Sequence, residues 1–190
     1  MVIAMRVVPY EPSHIDELRA VCIEQASERA RTEEAYGQFT LWMYCDPYLE
    51  NGIAYMLLDD EGVARGYTLA AEDAHEWRKS FEPYRERIAQ LGPEFAPRVK
   101  EEHDFYDTVA ADYPAHLHID ISEAYTGGGN GRALMEALLA RLRADGVKGV
   151  IFGVRASNER AVGFYEHMGF KRYNEYGDGD GVTFCMDLQA

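Results

Sequence analysis

The chain has 190 residues, of which 47% are hydrophobic, so it is long enough for one domain with a sizeable core and too short for two. Nineteen Lys and Arg residues against thirty-three Asp and Glu give a net charge of -14, which argues against nucleic acids and anionic membranes as partners. No apolar run approaches the roughly 18 residues of a membrane span, and the N-terminus lacks the apolar core of a signal peptide. We therefore expect a cytoplasmic protein with a single domain over residues 1–190.

The three cysteines, Cys22, Cys45 and Cys185, are far apart and form no CxxC pair. An odd number of widely spaced cysteines fits a reducing compartment and neither a disulfide framework nor a zinc site. We expect three buried thiols.

The first third of the chain is predicted to form a strand, two helices and a β-hairpin. Residues 5–8 are β-prone and are stopped by Pro9, and Ser13 precedes apolar residues at helical spacing, as the N-cap of a helix does. A second helix is predicted over 32–43, because the residue before Pro47 avoids the helical region. Two β-prone runs, 53–58 and 63–70, flank a turn-rich tetrapeptide and predict an antiparallel hairpin.

Residues 71–113 form a charged, aromatic segment that prolines divide into pieces of helical period. They predict helices over 74–80, 83–91 and 98–111, inserted between two strands of one sheet. The aromatic residues supply the burial that disordered segments lack, so we expect the insertion to be folded.

The last third alternates strands and helices. His116, His118 and Asp120 alternate with apolar residues as in a strand with one apolar face. The glycine-rich segment 126–132 follows, then an amphipathic helix closed by Asp145 and Gly146. A buried strand over 150–154, a helix over 159–168 capped by Asn158, and a hairpin of 170–173 with 182–188 complete the chain.

A strand, a glycine loop and a helix in that order can bind an anion, because the first N–H groups of a helix lack internal partners. Three successive glycines leave the backbone open to close approach. A nucleotide P-loop needs Gly-Lys-Ser/Thr, whereas Gly131 precedes Arg132 and Ala133, and no GxGxxG register fits. A structural loop without a ligand is the alternative.

Two motifs at a characteristic mutual spacing resemble the GNAT superfamily of acetyl-CoA-dependent N-acetyltransferases. Gly129-Asn130-Gly131 resembles the end of its Q/R-x-x-G-x-G/A signature, and residues 158–170 resemble its N-x-x-A-x-x-x-Y-x-x-x-G-F pattern. The resemblance implies an α/β fold: a mixed, mostly antiparallel sheet of about seven strands flanked by helices. The insertion also resembles the acetyltransferase-like domain of O-GlcNAcases.

The resemblance also implies residues that bind acetyl-CoA. The strand before the loop would diverge from its neighbour and bind the pantetheine arm through its main chain, while the glycine loop would bind the diphosphate. Asn158 would contact the arm or only cap its helix. The implied contact residues are Ile119, Asp120, Ile121, Thr126, Gly127, Gly128, Gly129, Asn130, Gly131, Arg132, Asn158 and Tyr165.

The resemblance implies that Tyr165 is the general acid, because a phenol can protonate a departing thiolate within hydrogen-bond reach. Aromatic packing on the inner helix face is the alternative. No titratable residue stands where the family often carries a glutamate base, so His118 and Asp120 are the candidates, acting through water. We expect no metal site, since no third ligand accompanies His116 and His118 at useful spacing.

The predicted reaction is transfer of acetyl from acetyl-CoA to a primary amine by direct attack within a ternary complex. The acidic surface favours a cationic acceptor, small molecule or peptide, such as a polyamine, an aminoglycoside or a lysine-bearing peptide. Residues at the start of the insertion, Glu72, Asp73, His75 and Trp77, are candidates for the acceptor pocket. Two alternatives stay open: a catalytically weak module that binds acyl-CoA or a protein, and a nucleotide-binding α/β domain.

Overall fold

The computed structural model describes residues 5–189 and contains one seven-stranded sheet with helices on both faces. The strands are β1 (Arg6–Pro9), β2 (Ile53–Leu58), β3 (Ala64–Ala71), β4 (Ala115–Ile121), β5 (Gly149–Arg155), β6 (Lys171–Tyr176) and β7 (Gly181–Asp187). The helices are α1 (Ile15–Gln25), α2 (Glu28–Thr32), α3 (Glu34–Tyr44), α4 (Asp46–Asn51), α5 (Ala74–Ser80), α6 (Glu82–Ala89), α7 (Phe95–Val109), α8 (Asn130–Ala144) and α9 (Glu159–His167).

The strand order is β1-β2-β3-β4-β5-β7-β6, and every neighbouring pair is antiparallel except β4 and β5. The predicted hairpin of β2 with β3 is present, as is the hairpin of β6 with β7. A mixed, mostly antiparallel sheet of seven strands confirms the predicted fold class.

The two faces of the sheet carry separate cores. On one face, α1, α3 and the helices that follow β3 pack on β2 and β3, around residues such as Leu18, Tyr67 and Phe95. On the other face, α8 and α9 pack on the central strands around Met135, Leu138 and Phe152. The alternation of apolar side chains along β4 and β5 sends successive residues to these two layers.

The N-terminal helices differ from the prediction at their ends. Ser13 does not cap α1, because a turn of 3₁₀ helix over Pro12–His14 precedes it and His14 occupies the cap position. The helix predicted over 32–43 is α3, which begins at Glu34. It ends at Tyr44 as expected, but Pro47 then lies in the first turn of α4, where a missing N–H costs nothing.

The insertion between β3 and β4 is helical, as predicted, and consists of α5, α6 and α7. Helix α5 has the predicted bounds. Helix α7 begins at Phe95 rather than at residue 98, because Pro97 is accommodated in the first turn instead of ending the helix. Helix α8 likewise begins at Asn130, so Gly131 and Arg132 belong to its first turn.

Cys22, Cys45 and Cys185 are buried free thiols, as expected. Among residues 5–189, no helix combines the length and apolar character that crossing a membrane requires.

Candidate active site

Strands β4 and β5 separate soon after they begin. They pair only at Ala115 with Val150 and at His116 with Ile151, whereas β3 pairs with β4 along its whole length to Ile121. The remainder of β4, including Ile119, Asp120 and Ile121, therefore faces a gap in the sheet. The divergence that the resemblance implies is present, and it leaves main-chain groups at this edge available to a ligand.

The glycine loop follows β4 and leads into α8. Gly127, Gly128 and Gly129 are exposed and have φ angles of 93°, 58° and 85°, in the left-handed region that glycine tolerates best. A Cβ atom added at any of the three would meet nothing within 4 Å. The loop is therefore open rather than packed against the protein.

Five backbone N–H groups of this loop have no hydrogen-bond acceptor within residues 5–189: those of Gly127, Gly128, Gly129, Gly131 and Arg132. The N–H of Asn130 is bonded to the Gly127 carbonyl at 3.1 Å, which fixes the turn. Unpaired N–H groups at the start of a long helix, where the dipole is positive, form a site for an anion. The diphosphate of a coenzyme fits this donor set.

The polar side chains of the loop already bind to neighbouring residues of the protein. The Arg132 guanidinium lies 3.3 Å from the Glu136 carboxylate, and the Thr126 hydroxyl donates to the Glu123 carbonyl at 2.7 Å. The Asn130 amide donates to the Tyr125 carbonyl. The site therefore depends on the backbone more than on side-chain charge.

Asn158 caps α9: its side-chain oxygen accepts a hydrogen bond from the Ala161 N–H at 3.1 Å. The predicted helix cap is therefore present. The side-chain N–H₂ group of Asn158 has no acceptor among the described residues. Because Asn158 also lines the large cavity beside the gap between β4 and β5, its amide can donate to a ligand while the cap persists.

Tyr165 lies on the inner face of α9 and is only 7% exposed. Its ring packs 4.6 Å from that of Phe152 and 5.6 Å from that of Phe184. Burial, with a smaller contribution from the Asp120 carboxylate, raises the pKa of the Tyr165 hydroxyl, which has no hydrogen-bond partner within residues 5–189. The hydroxyl is therefore protonated at neutral pH and available as a donor.

A cavity of about 1170 Å³ opens on the other side of the gap, between the sheet and helices α3 and α7. Its wall includes His118 and Asp120 from β4, Glu102 from α7, and several aromatic rings. The aromatic members are Tyr36, Phe39, Tyr44, Phe105, Tyr106 and Tyr176.

Tyr176 reaches the cavity from the edge of the sheet. Its ring lies across Gly153 and Gly181, where a Cβ atom would overlap the ring or lie 2.7 Å from the hydroxyl. Glycine at these two strand positions therefore allows the ring to lie flat on the sheet.

The Tyr48 hydroxyl joins the two histidines of β4. It lies 2.7 Å from His116 Nδ1 and 3.1 Å from His118 Nε2, so it donates to one ring and accepts from the other. His116 Nε2 is buried and has no hydrogen-bond partner among the described residues. Because an unpaired buried N–H is rarer than an unpaired lone pair, Nε2 is the nitrogen without a proton. His116 Nδ1 is therefore assigned as the donor to Tyr48, and Tyr48 as the donor to His118.

His118 is consequently a weak proton acceptor. Burial lowers the pKa of His118 to about 4, and the lone pair of Nε2 already accepts from Tyr48. Both effects disfavour the protonated ring at neutral pH.

Asp120 is the better placed of the two predicted bases. The register pairs it with Tyr67, whose hydroxyl donates to its carboxylate at 2.5 Å. Burial raises the pKa of Asp120 to about 7, although the Tyr67 hydrogen bond opposes the shift. A carboxylate with a pKa near the working pH can both accept and release a proton.

Glu102 was not predicted from the sequence. The Tyr44 hydroxyl donates to its carboxylate at 3.2 Å, and burial raises the pKa of Glu102 to about 7. One signal was present: Glu102 lies at helical spacing between Val99 and Tyr106, both buried on α7. A charged residue in an apolar stripe indicates a polar site behind the helix.

The residues proposed at the start of the insertion do not line the cavity. Asp73 caps α5 by accepting from the His75 and Glu76 N–H groups, each at 2.9 Å. Trp77 is buried and stacks on Tyr48 with ring centroids 4.1 Å apart. The insertion reaches the cavity through α7 instead. Within residues 5–189, no group of three or more potential ligands could hold a metal ion.

The raised pKa values of Asp120 and Glu102 predict how stability depends on pH. In each case the folded pKa, about 7, exceeds the ordinary value of 3.8 or 4.5, so folding favours the neutral carboxyl group. The contribution of these two neutral carboxyl groups to the stability of the fold is fully present below pH 4. It is lost as the pH rises through about 7. Asp120→Asn and Glu102→Gln should therefore raise the melting temperature more at pH 8 than at pH 5, by about 2–4 °C per kcal/mol relieved.

Thermal unfolding at the two pH values, followed by circular dichroism, measures this difference. Glu86→Gln, on an exposed position of α6, is the control for the change in net charge. Equal shifts at pH 5 and pH 8 would contradict the raised pKa values.

A model of the acetyltransferase (GNAT) family matches residues 23–170. The match spans more than half of the chain, and the chain therefore belongs to the GNAT acetyltransferase family. The O-GlcNAcase-related subgroup stays a prediction.

A curated relative is similar in sequence, and two solved structures share the fold. The [ribosomal protein bS18]-alanine N-acetyltransferase of Escherichia coli (strain K12) is 38% identical over 77 residues, which cover 38% of this chain and 52% of that protein. The chain thus spans about half the length of the curated relatives it matches. The crystal structure of SsHAT has a TM-score of 0.83 at 24% identity, covering 97% of this chain and 98% of that one. A GCN5-related N-acetyltransferase from Kribbella flavida has a TM-score of 0.62 at 17% identity, covering 97% and 98%.

Proposed function

We propose that this chain transfers an acetyl group from acetyl-CoA to a primary amine by direct attack in a ternary complex, and that residues 1–190 form one such domain. The observation that carries the proposal is the set of five unpaired N–H groups at Gly127–129, Gly131 and Arg132, beside the gap between β4 and β5. Family membership and the curated N-acetyltransferase relatives support an amine acceptor.

The loop N–H groups would hold the diphosphate, and the free edge of β4 at Ile119, Asp120 and Ile121 would bind the pantetheine arm, with Asn158 as a further donor. Acetyl-CoA would supply the acetyl thioester and leave as the thiol. Tyr165, protonated and without another partner, would donate the proton that the sulfur needs.

Asp120 is proposed as the group that accepts the proton of the acceptor ammonium, directly or through water. It lines the acceptor cavity, and its pKa of about 7 suits proton transfer at neutral pH. His118 is the weaker candidate, because its lone pair is engaged by Tyr48.

Two measurements test the proposal: titration calorimetry with acetyl-CoA, and thiol release from acetyl-CoA across a panel of primary amines. We expect heat of binding, and thiol release that depends on the amine. Asp120→Asn keeps the shape and a hydrogen-bond acceptor but cannot take up the proton, so it should bind acetyl-CoA and release little thiol. Absence of heat at millimolar acetyl-CoA, together with no thiol release, would instead support the interaction module.

A further inference from the structure

The cavity on the α7 side of the gap contains two carboxyl groups that form no ion pair within residues 5–189. Asp120 and Glu102 each receive one hydrogen bond, from Tyr67 and Tyr44, and no cation contributes to the pKa of either group. Elsewhere, the carboxylate of Asp46, which is buried, is paired with Arg19. Half-buried carboxylates without a cation carry a desolvation cost that a cationic ligand would relieve.

The walls of the cavity also suit a cation. Tyr44, Tyr106 and Tyr176 contribute aromatic rings, whose faces attract ammonium groups. The two arginines of the lining, Arg98 and Arg155, are exposed residues, and Glu101 is an exposed residue beside Glu102. Arg98 lies over the Tyr36 ring, 5.6 Å from its centroid, and within residues 5–189 neither arginine hydrogen-bonds to Asp120 or Glu102. Both carboxyl groups are therefore open to a cationic ligand.

The two carboxyl groups lie on different elements, Asp120 on β4 and Glu102 on α7, and neither contributes to the pKa of the other. Asp120 follows His118 by two residues on the same face of β4, a step of about 7 Å. The Tyr44 ring packs against the His118 ring, with centroids 5.2 Å apart, and its hydroxyl donates to Glu102. A ligand that meets both carboxyl groups would therefore have to span the space between a strand and a helix, which favours a linear molecule.

We propose that the acceptor is a linear amine with a second cationic nitrogen, whose reacting nitrogen lies at Asp120 while the second is bound by Glu102. This inference rests on the proposed function and specifies its substrate class. In the reaction the first ammonium group loses one proton to Asp120, and the resulting amine forms the amide bond as the C–S bond of the thioester breaks. The sulfur gains a proton from Tyr165, the second proton that the nitrogen loses restores the Tyr165 hydroxyl through water, and Asp120 passes its proton to solvent. The second nitrogen stays charged and takes no part.

Matched pairs of amines test the proposal. Cadaverine and pentylamine have the same carbon chain and differ by one terminal amine, as do putrescine and butylamine. With acetyl-CoA as donor, kcat/KM measured by thiol release should be about tenfold higher for each diamine, as one charge-assisted contact provides. Glu102→Gln should abolish most of that preference, whereas Glu86→Gln, with the same charge change on the exposed face of α6, should keep it.

Binding provides a second measurement. Titration of cadaverine into protein saturated with CoA, where no acetyl group is available, should show about tenfold weaker binding for Glu102→Gln than for the unaltered protein. Tyr44→Phe, which removes the hydrogen bond to Glu102, should weaken cadaverine binding in the same direction and is the second variant if Glu102→Gln fails to fold.

Equal kcat/KM for the two members of each pair would overturn the inference and leave the proposed function intact. A diamine preference that persists in Glu102→Gln would also overturn it. If no amine is acetylated and CoA gives no heat, the proposed function fails and the inference fails with it.

Discussion

Replacing Tyr165 by phenylalanine is expected to lower kcat by about 100- to 10,000-fold, the range that a positioned general acid contributes. The Tyr165 hydroxyl has no partner within residues 5–189, so its loss removes a proton donor without breaking an internal hydrogen bond. The ring contacts with Phe152 and Phe184 are kept by phenylalanine. The dissociation constant of acetyl-CoA and the melting temperature should therefore change little.

Steady-state thiol release and titration calorimetry separate the two effects. Tyr173→Phe is the matched control, because it removes the same hydroxyl from a side chain that is 48% exposed. If kcat of the Tyr165 variant stays at the level of this control, Tyr165 serves only in packing.

Replacing Gly128 by valine should weaken acetyl-CoA binding by about a hundredfold or more. The φ angle of Gly128 is 58°, which a β-branched residue rarely adopts, and the new side chain would stand in the open space above the loop. Both effects displace N–H groups from the anion, and each charge-assisted hydrogen bond lost costs about 1.5–3 kcal/mol.

Gly62→Val is the control for this variant. Gly62 has a φ of 81° and also lacks neighbours within 4 Å, but it lies in the turn between β2 and β3. Gly62→Val should therefore strain the backbone to a similar extent and leave the binding of acetyl-CoA unchanged. Equal dissociation constants for the two variants, measured by calorimetry, would show that the glycine loop does not hold the diphosphate.

The elements that could be predicted are those whose signals are local. The alternation that predicts β4, the three glycines and the Asn158 cap each depend on a few neighbouring residues, and the structure contains the strand, the open glycine loop and the cap. It differs in burying His116, on the polar side of the predicted alternation, as fully as its apolar neighbours. The start of α7 at Phe95 was misplaced because a proline ends a helix in its interior but is tolerated in its first turn, and sequence alone does not distinguish the two positions. The start of α3 was misplaced because a separate short helix, α2, ends at Thr32 and Glu33 lies between the two helices.

The cavity formed with α3 and α7 could not be predicted in the same way. Tyr44, Glu102, Asp120 and Tyr176 come from four elements that are far apart in the chain, and only the packing of α3 and α7 on the sheet brings them together. Asp73, at the start of the insertion, was a plausible candidate for the acceptor pocket, but its carboxylate caps α5. The start of the insertion was therefore the wrong part to choose, because α7 is the part that packs beside the cavity.

The opening between β4 and β5 connects two layers that are otherwise separated by the sheet. The glycine loop with α8 and α9 lies on one side, and the cavity formed with α3 and α7 lies on the other. If acetyl-CoA lies along the glycine loop and the amine in the cavity, substitutions on α7 would change the choice of amine without altering the N–H groups that hold the diphosphate.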